Sequence, residues 1–147
     1  MFSIEPVNSP RNHFRIVADG LDETWPLVTK YWSVSEYVAH WIKAVQIILN
    51  GAERSALIVD YAPPSQSGGL TWFPMYRQKN ESVVLQHHLL FFEGESKKFT
   101  AEKFSDFVPA YESISEDGQK VSEWRINVSD LRKWLESVDA NPIPGSG

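Results

Sequence analysis

Cysteine is absent from this chain of 147 residues, which excludes a disulfide framework, a thiolate metal site and a thiol nucleophile. Long apolar runs are absent too. The longest, Ala56–Val59 and Leu89–Phe92, fall far short of the roughly 18–20 residues of a membrane-spanning helix. An acid at Glu5 and prolines at Pro6 and Pro10 stand where a secretory signal carries its apolar stretch, so a cytoplasmic protein is expected. Gly68-Gly69 runs into Leu70-Thr71-Trp72, without the Gly-Lys-Ser/Thr of a phosphate loop. A glycine-flanked serine elbow is missing as well. Bases are few: 14 Lys and Arg against 19 Asp and Glu give a net charge of −5. From Glu93 to Asp139, eleven acids meet seven bases, so −4 of that charge lies in the C-terminal third. Nucleic-acid binders show the opposite sign, because phosphate contacts come from Lys and Arg. An acidic face suits a basic partner, although it also serves plain solubility.

What is present suffices for a core. A hydrophobic fraction of 42% in a chain of this size fits one domain burying roughly 68–70% of its unfolded surface. Residues 1–144 are expected to form that domain, with Gly145-Ser146-Gly147 set aside as an appended tail. Six tryptophans, Trp25, Trp32, Trp41, Trp72, Trp124 and Trp134, are many for this length, and aromatics anchor protein interfaces as well as cores. Trp41 and Trp124 are assigned to the core.

The clearest element is a helix over Ser33–Asn50. Ser33 and Glu36 stand at capping-box spacing, and Val34, Tyr37, Val38, Trp41, Ile42, Val45, Ile48 and Leu49 form one stripe of 3.6-residue period. His40 falls on its polar side, and Asn50-Gly51 supplies the stop. Before it, His13–Ala18 reads as a strand closed by Asp19-Gly20, and Leu27–Tyr31 as another short one. Arg54–Tyr61, Leu70–Arg77 and Ser82–Phe92 then read as a three-stranded antiparallel meander. Pro74 requires a bulge or an edge near it, and Gln86-His87-His88 marks a twist or bulge in the third strand. A short helix starts at Thr100, with Phe99 and Phe104 at the staple positions, and Pro109 ends it. Val121–Ile126 reads as a strand. A last helix follows, capped by Asn127 or Ser129, with Leu131, Trp134, Leu135 and Val138 as its stripe and Pro142 and Pro144 beyond it. The order predicts an α+β fold: one mainly antiparallel, twisted sheet, with a long helix and two shorter helices covering one face.

Chemistry is thinly represented. His87-His88 is the only histidine pair, and neighbours on a strand point to opposite faces, so they do not chelate one metal. Glu116 and Asp117 beside Gly118 read as an exposed turn whose pKa values have little reason to move. No catalytic residue, metal site or cofactor is assigned. A single-stranded nucleic-acid module needs a basic groove with stacking aromatics. Trp72, Phe73 and Tyr76 have only Arg54, Arg77 and Lys79 nearby in sequence.

Several short motifs, taken in order, resemble one family. They are Tyr31-Trp32-Ser33 entering a helix with Tyr37 and Trp41; Ser55-Ala56-Leu57; Leu70-Thr71-Trp72; and the acidic turn Glu116-Asp117-Gly118 running to Lys120-Val121-Ser122-Glu123-Trp124. Over residues 31–136 this series resembles the CdiI immunity proteins of contact-dependent growth inhibition, in the branch that protects against a toxin cleaving small-subunit ribosomal RNA. The resemblance implies a cytoplasmic protein that binds the C-terminal toxin domain of CdiA and has no activity of its own. It also implies a fold similar to Whirly single-stranded-DNA-binding domains, although fold does not carry function. A monomer or weak homodimer is expected, with no nucleic acid and no membrane as partner. The residues nominated for toxin contact are Asp60 and Tyr76 on the meander, with Glu93, Glu95, Glu116 and Asp117. Each acid, taken alone, also reads as an ordinary solvated surface residue. The competing reading is a Whirly-like nucleic-acid-binding module.

Overall fold

Helix α1, Val34–Leu49, begins as the spacing predicts. The Ser33 hydroxyl accepts the Glu36 N–H at 3.2 Å, and the Glu36 carboxylate accepts the Ser33 N–H at 3.1 Å, closing a capping box. Gly51 follows the helix with φ +102°. A computed structural model describes residues 1–9 and 11–140 of the chain. Tyr37, Val38, Trp41, Ala44, Val45 and Ile48 are buried along α1, and so is His40, which the sequence placed on the polar side.

The helix lies along the edge of a five-stranded antiparallel sheet. Its strands are β4 (Arg54–Asp60), β5 (Gly69–Arg77), β6 (Ser82–Gln86), β7 (His88–Phe91) and β8 (Glu123–Asn127). The order is β4-β5-β6-β8, with β7 also paired to β5. The bond from Arg77 N–H to Glu53 O, 2.8 Å, fixes which β4 residues face β5. By alternation, Ile58 turns its N–H and C=O outward. Trp41 Nε1–H donates to that carbonyl at 2.8 Å, and His40 Nε2 accepts that N–H at 2.8 Å. The Tyr37 hydroxyl adds a bond from Tyr61 N–H, 2.9 Å, and donates to Val28 O, 2.7 Å. Side chains of α1 thus take the place of a missing strand.

β6 and β7 are the two halves of the expected third strand, joined through His87 without a shift of register. Both pair with β5 in one register, from Arg77↔Val83 to Gly69↔Phe91. The bonds Gln78 N–H to Ser82 O and Phe92 N–H to Gly68 O show which pairs carry hydrogen bonds. Pro74 falls on such a position, opposite Gln86, and has no N–H to give. The ladder opens there, where a bulge was expected. The register shift lies instead on β4, between Ile58 and Asp60.

The N-terminal region forms a second antiparallel sheet of β1 (Ser3–Val7), β2 (His13–Ala18) and β3 (Leu21–Pro26). Only β2 was anticipated, and the strand expected at Leu27–Tyr31 is absent, because pairing ends at Pro26. This small sheet covers part of one face of the larger one: Phe14 meets Trp41 at 6.2 Å, and Trp25 stacks on Phe73 at 5.6 Å. The opposite face is covered by two 3₁₀ turns, Gly94–Lys98 and Ala101–Phe107, with Phe99 against Trp72 at 6.2 Å. Covering elements therefore lie on both faces, whereas the sequence placed them on one. The short helix expected from Thr100 takes the 3₁₀ form, with a non-helical Lys103.

Helix α2, Val128–Ala140, follows β8 directly. Asp130 accepts the Asn127 N–H at 2.9 Å. Val128, Leu131, Trp134 and Val138 are buried, and the Trp134 indole donates to Ile4 O at 3.2 Å, tying the last helix to the first strand. Pro142, Pro144 and the tail at 145–147 lie outside the described residues.

Candidate functional site

His87 and His88 diverge as expected. His87 lies 4.9 Å from both the Trp25 and Phe73 rings, while His88 Nε2 meets Gln86 Oε1 at 2.7 Å. Burial pushes both imidazoles below the usual histidine range. No group of His, Asp and Glu suited to a metal occurs among the described residues.

The nominated contact residues do not form one cluster. Tyr76 is 3% exposed, its hydroxyl donates to Pro109 O at 2.9 Å, and burial pushes its pKa up to about 12. It belongs to the core, which corrects its nomination as a surface contact: on β5 it points under the segment that returns from the second 3₁₀ turn. Glu93 and Glu95 are exposed at the first 3₁₀ turn, where Glu95 pairs with Lys98 at 3.3 Å.

Glu116 and Asp117 sit at the tip of a hairpin closed by Ser115 N–H to Gln119 O, 2.7 Å, and Val121 N–H to Ser113 O, 2.9 Å. Gly118, at φ +83°, supplies the left-handed conformation the turn requires. Contrary to expectation, Asp117 is shifted: the Ser115 hydroxyl, and then the Gln119 N–H, hold its carboxyl below the usual range. Glu116 borders a cleft of about 350 Å³ with Gln86, His88 and Val121.

Asp60 has a different setting. It ends β4 beside the register shift, directly opposite Thr71, and borders a cleft of about 420 Å³ with Phe14, Trp25, Val28, Thr71 and His87. The carboxyl is pushed up by burial.

Two features escaped the sequence reading. The first is a polar network in which the Tyr111 hydroxyl donates to Glu123 at 2.8 Å. Gln86 Nε2 donates to Glu123 at 3.2 Å and to Glu112 O at 2.9 Å. It fastens residues 111–112 to β6 and β8. The second is exposed apolar surface on β7: Leu89 is 59% and Phe91 60% exposed. The only sequence signal for it is the unbroken apolar run Leu89–Phe92. Trp41 is fully buried, as assigned, whereas Trp124 is only partly buried, beside Phe73 at 6.4 Å. Trp72 and Phe73 are buried at 1% and 0% exposure, so with Tyr76 they offer no face for stacking bases.

Comparison with known proteins agrees with this architecture. The immunity protein CdiI of Enterobacter cloacae subsp. cloacae is 26% identical over 124 residues, covering 84% of each chain. A chain of the solved CdiA-CT/CdiI toxin and immunity complex from Enterobacter cloacae superposes with a TM-score of 0.80 at 26% identity, over 95% of this chain and 99% of that one. Residues 27–134, from the exit of β3 to the middle of α2, match the CdiI N-terminal domain, and the chain belongs to that family.

Proposed function

We propose that this protein is an immunity protein that binds the C-terminal toxin domain of the CdiA encoded with it and neutralises it in the cytoplasm, without turnover of its own. The observation that carries the reading is the family match across 27–134, supported by likeness to a chain of a toxin–immunity complex along nearly the whole length. The toxin is proposed to be a nuclease acting on ribosomal RNA. The acidic surplus and the exposed Glu93, Glu95 and Glu116 suit a basic RNA-binding surface, where carboxylates compete with phosphate. Residues 1–144 act as one folding unit, as a monomer or weak homodimer. The nucleic-acid-binding alternative is disfavoured by the burial of Trp72, Phe73 and Tyr76, because base stacking needs open aromatic faces.

The test is co-expression with the neighbouring CdiA C-terminal domain. A stable complex and rescued growth are expected. Growth arrest with no complex would refute the reading, and binding of single-stranded nucleic acid with a negative salt slope would then favour the alternative.

A further inference from the structure

Four charged side chains among the described residues are half-buried: Asp60, Arg77, Glu123 and Asp130. Three are satisfied internally. Arg77 donates to Ile48 O at 2.7 Å and pairs with Glu81. Glu123 accepts from Tyr111 and Gln86. Asp130 accepts the Asn127 N–H and lies 3.5 Å from the terminal amine. Asp60 alone makes no hydrogen bond or ion pair within the described residues, and a partly desolvated carboxylate without a partner is unfavourable.

Its surroundings explain what would compensate it. Asp60, Thr71 and Leu89 face one another across β4, β5 and β7, so they lie in one row on one face of the sheet. Phe91 stands in the next outward row, opposite Gly69. Val28, 41% exposed, also lines the cleft. A half-buried, unpartnered carboxylate with exposed apolar groups farther along its own row and the next has the anatomy of an interface anchor: a partly desolvated polar centre beside apolar surface that a partner can cover. Trp25 and His87 line the same cleft, and aromatic rings favour a nearby guanidinium or ammonium.

We propose that the Asp60 cleft receives a lysine or arginine side chain of the cognate toxin domain, on a segment that also covers Leu89 and Phe91. This rests on the immunity reading above and names its anchor. Charge complementarity selects the occupant: the carboxylate repels phosphate, and the chain's own net charge of −5 disfavours a second copy relative to a basic domain.

The test is titration calorimetry of the purified chain with the catalytically inactivated CdiA C-terminal domain encoded beside it. Asp60→Asn keeps the shape and removes the charge; it is expected to weaken binding about 30- to 100-fold, mainly through faster dissociation. Leu89→Lys alters only exposed surface, tests the rim without disturbing the core, and is expected to weaken binding about 10-fold or more. Glu136→Gln, exposed on α2 and outside the cleft, is expected to change it less than about threefold. Wild-type affinity in both Asp60→Asn and Leu89→Lys would overturn the anchor while leaving the immunity reading intact. No binding by the wild-type chain would overturn both. If sedimentation shows a wild-type dimer that Asp60→Lys abolishes with toxin affinity unchanged, the occupant is a second copy and the proposal is wrong.

Discussion

Acid sensitivity should be written into the contact between α1 and β4. His40 is 7% exposed, packed 4.5 Å from the Phe104 ring and 5.2 Å from that of Trp32, and its Nε2 accepts the Ile58 N–H. That bond requires an unprotonated nitrogen. Desolvation first, and the Lys43 charge second, lower its pKa from 6.5 to about 3. The folded value lies below the unfolded one, so the unfolded chain takes up the proton first as pH falls. The contribution of His40 is complete above pH 6.5 and is lost progressively as pH falls towards about 3. Within that window each pH unit costs up to about 1.4 kcal/mol. Between neutrality and pH 5 the loss amounts to about 2 kcal/mol. His87 and His88 shift in the same direction, so the wild-type profile alone does not isolate His40. His40→Gln does: it keeps an acceptor for Ile58 and removes the titration. Urea unfolding followed by tryptophan fluorescence should show the variant less stable near neutrality by about 1–2 kcal/mol, through lost ring packing. Its loss between neutrality and pH 5 should be about 2 kcal/mol smaller than that of the wild type. Parallel pH profiles for the two proteins would refute the argument.

Three further outcomes follow from the same geometry. Trp41→Phe leaves the Ile58 carbonyl buried without its donor and should cost about 1–3 kcal/mol in chemical denaturation. Gly69→Ala places a methyl group against the Leu90 carbonyl oxygen, where backbone cannot yield. It should lower stability by about 2–3 kcal/mol and accelerate amide exchange in β7 before other strands. Gln86→Leu removes the donor to Glu112 and Glu123, and should cost about 2 kcal/mol with faster exchange confined largely to residues 109–122.

The long helix was legible because its signals were local: a cap, a 3.6-residue period and a glycine stop all fell within one window. The meander strands were legible as well, since their apolar content is dense. The small N-terminal sheet was not. β1 (Ser-Ile-Glu-Pro-Val) and β3 (Leu-Asp-Glu-Thr-Trp-Pro) hold few apolar residues, and each carries a proline. Such strands persist at the edges of a sheet held by tertiary contacts rather than by propensity. His40 was misplaced by residue type: it borders the stripe on the helix surface, and a sequence does not reveal the backbone amide waiting opposite. Residues 89–92 are apolar on both parities, so alternation gave no indication that Leu89 and Phe91 face outward. Asp60 was visible as an acid ending an apolar strand. Its cleft, however, is assembled from β2, β3, β4 and β5 with His87, and only the fold brings them together.

The replacement of a neighbouring strand by side chains of α1 bears on how the protein avoids aggregation. An open strand edge rich in apolar residues invites pairing with other chains, and β4, with five consecutive buried positions from Ser55 to Val59, would be such a template. In the chain, α1 precedes β4 by only four residues, so during synthesis the helix leaves the ribosome before the strand it covers. The cover is therefore at hand when the edge emerges, and the interval in which a nascent chain displays a sticky border is kept short.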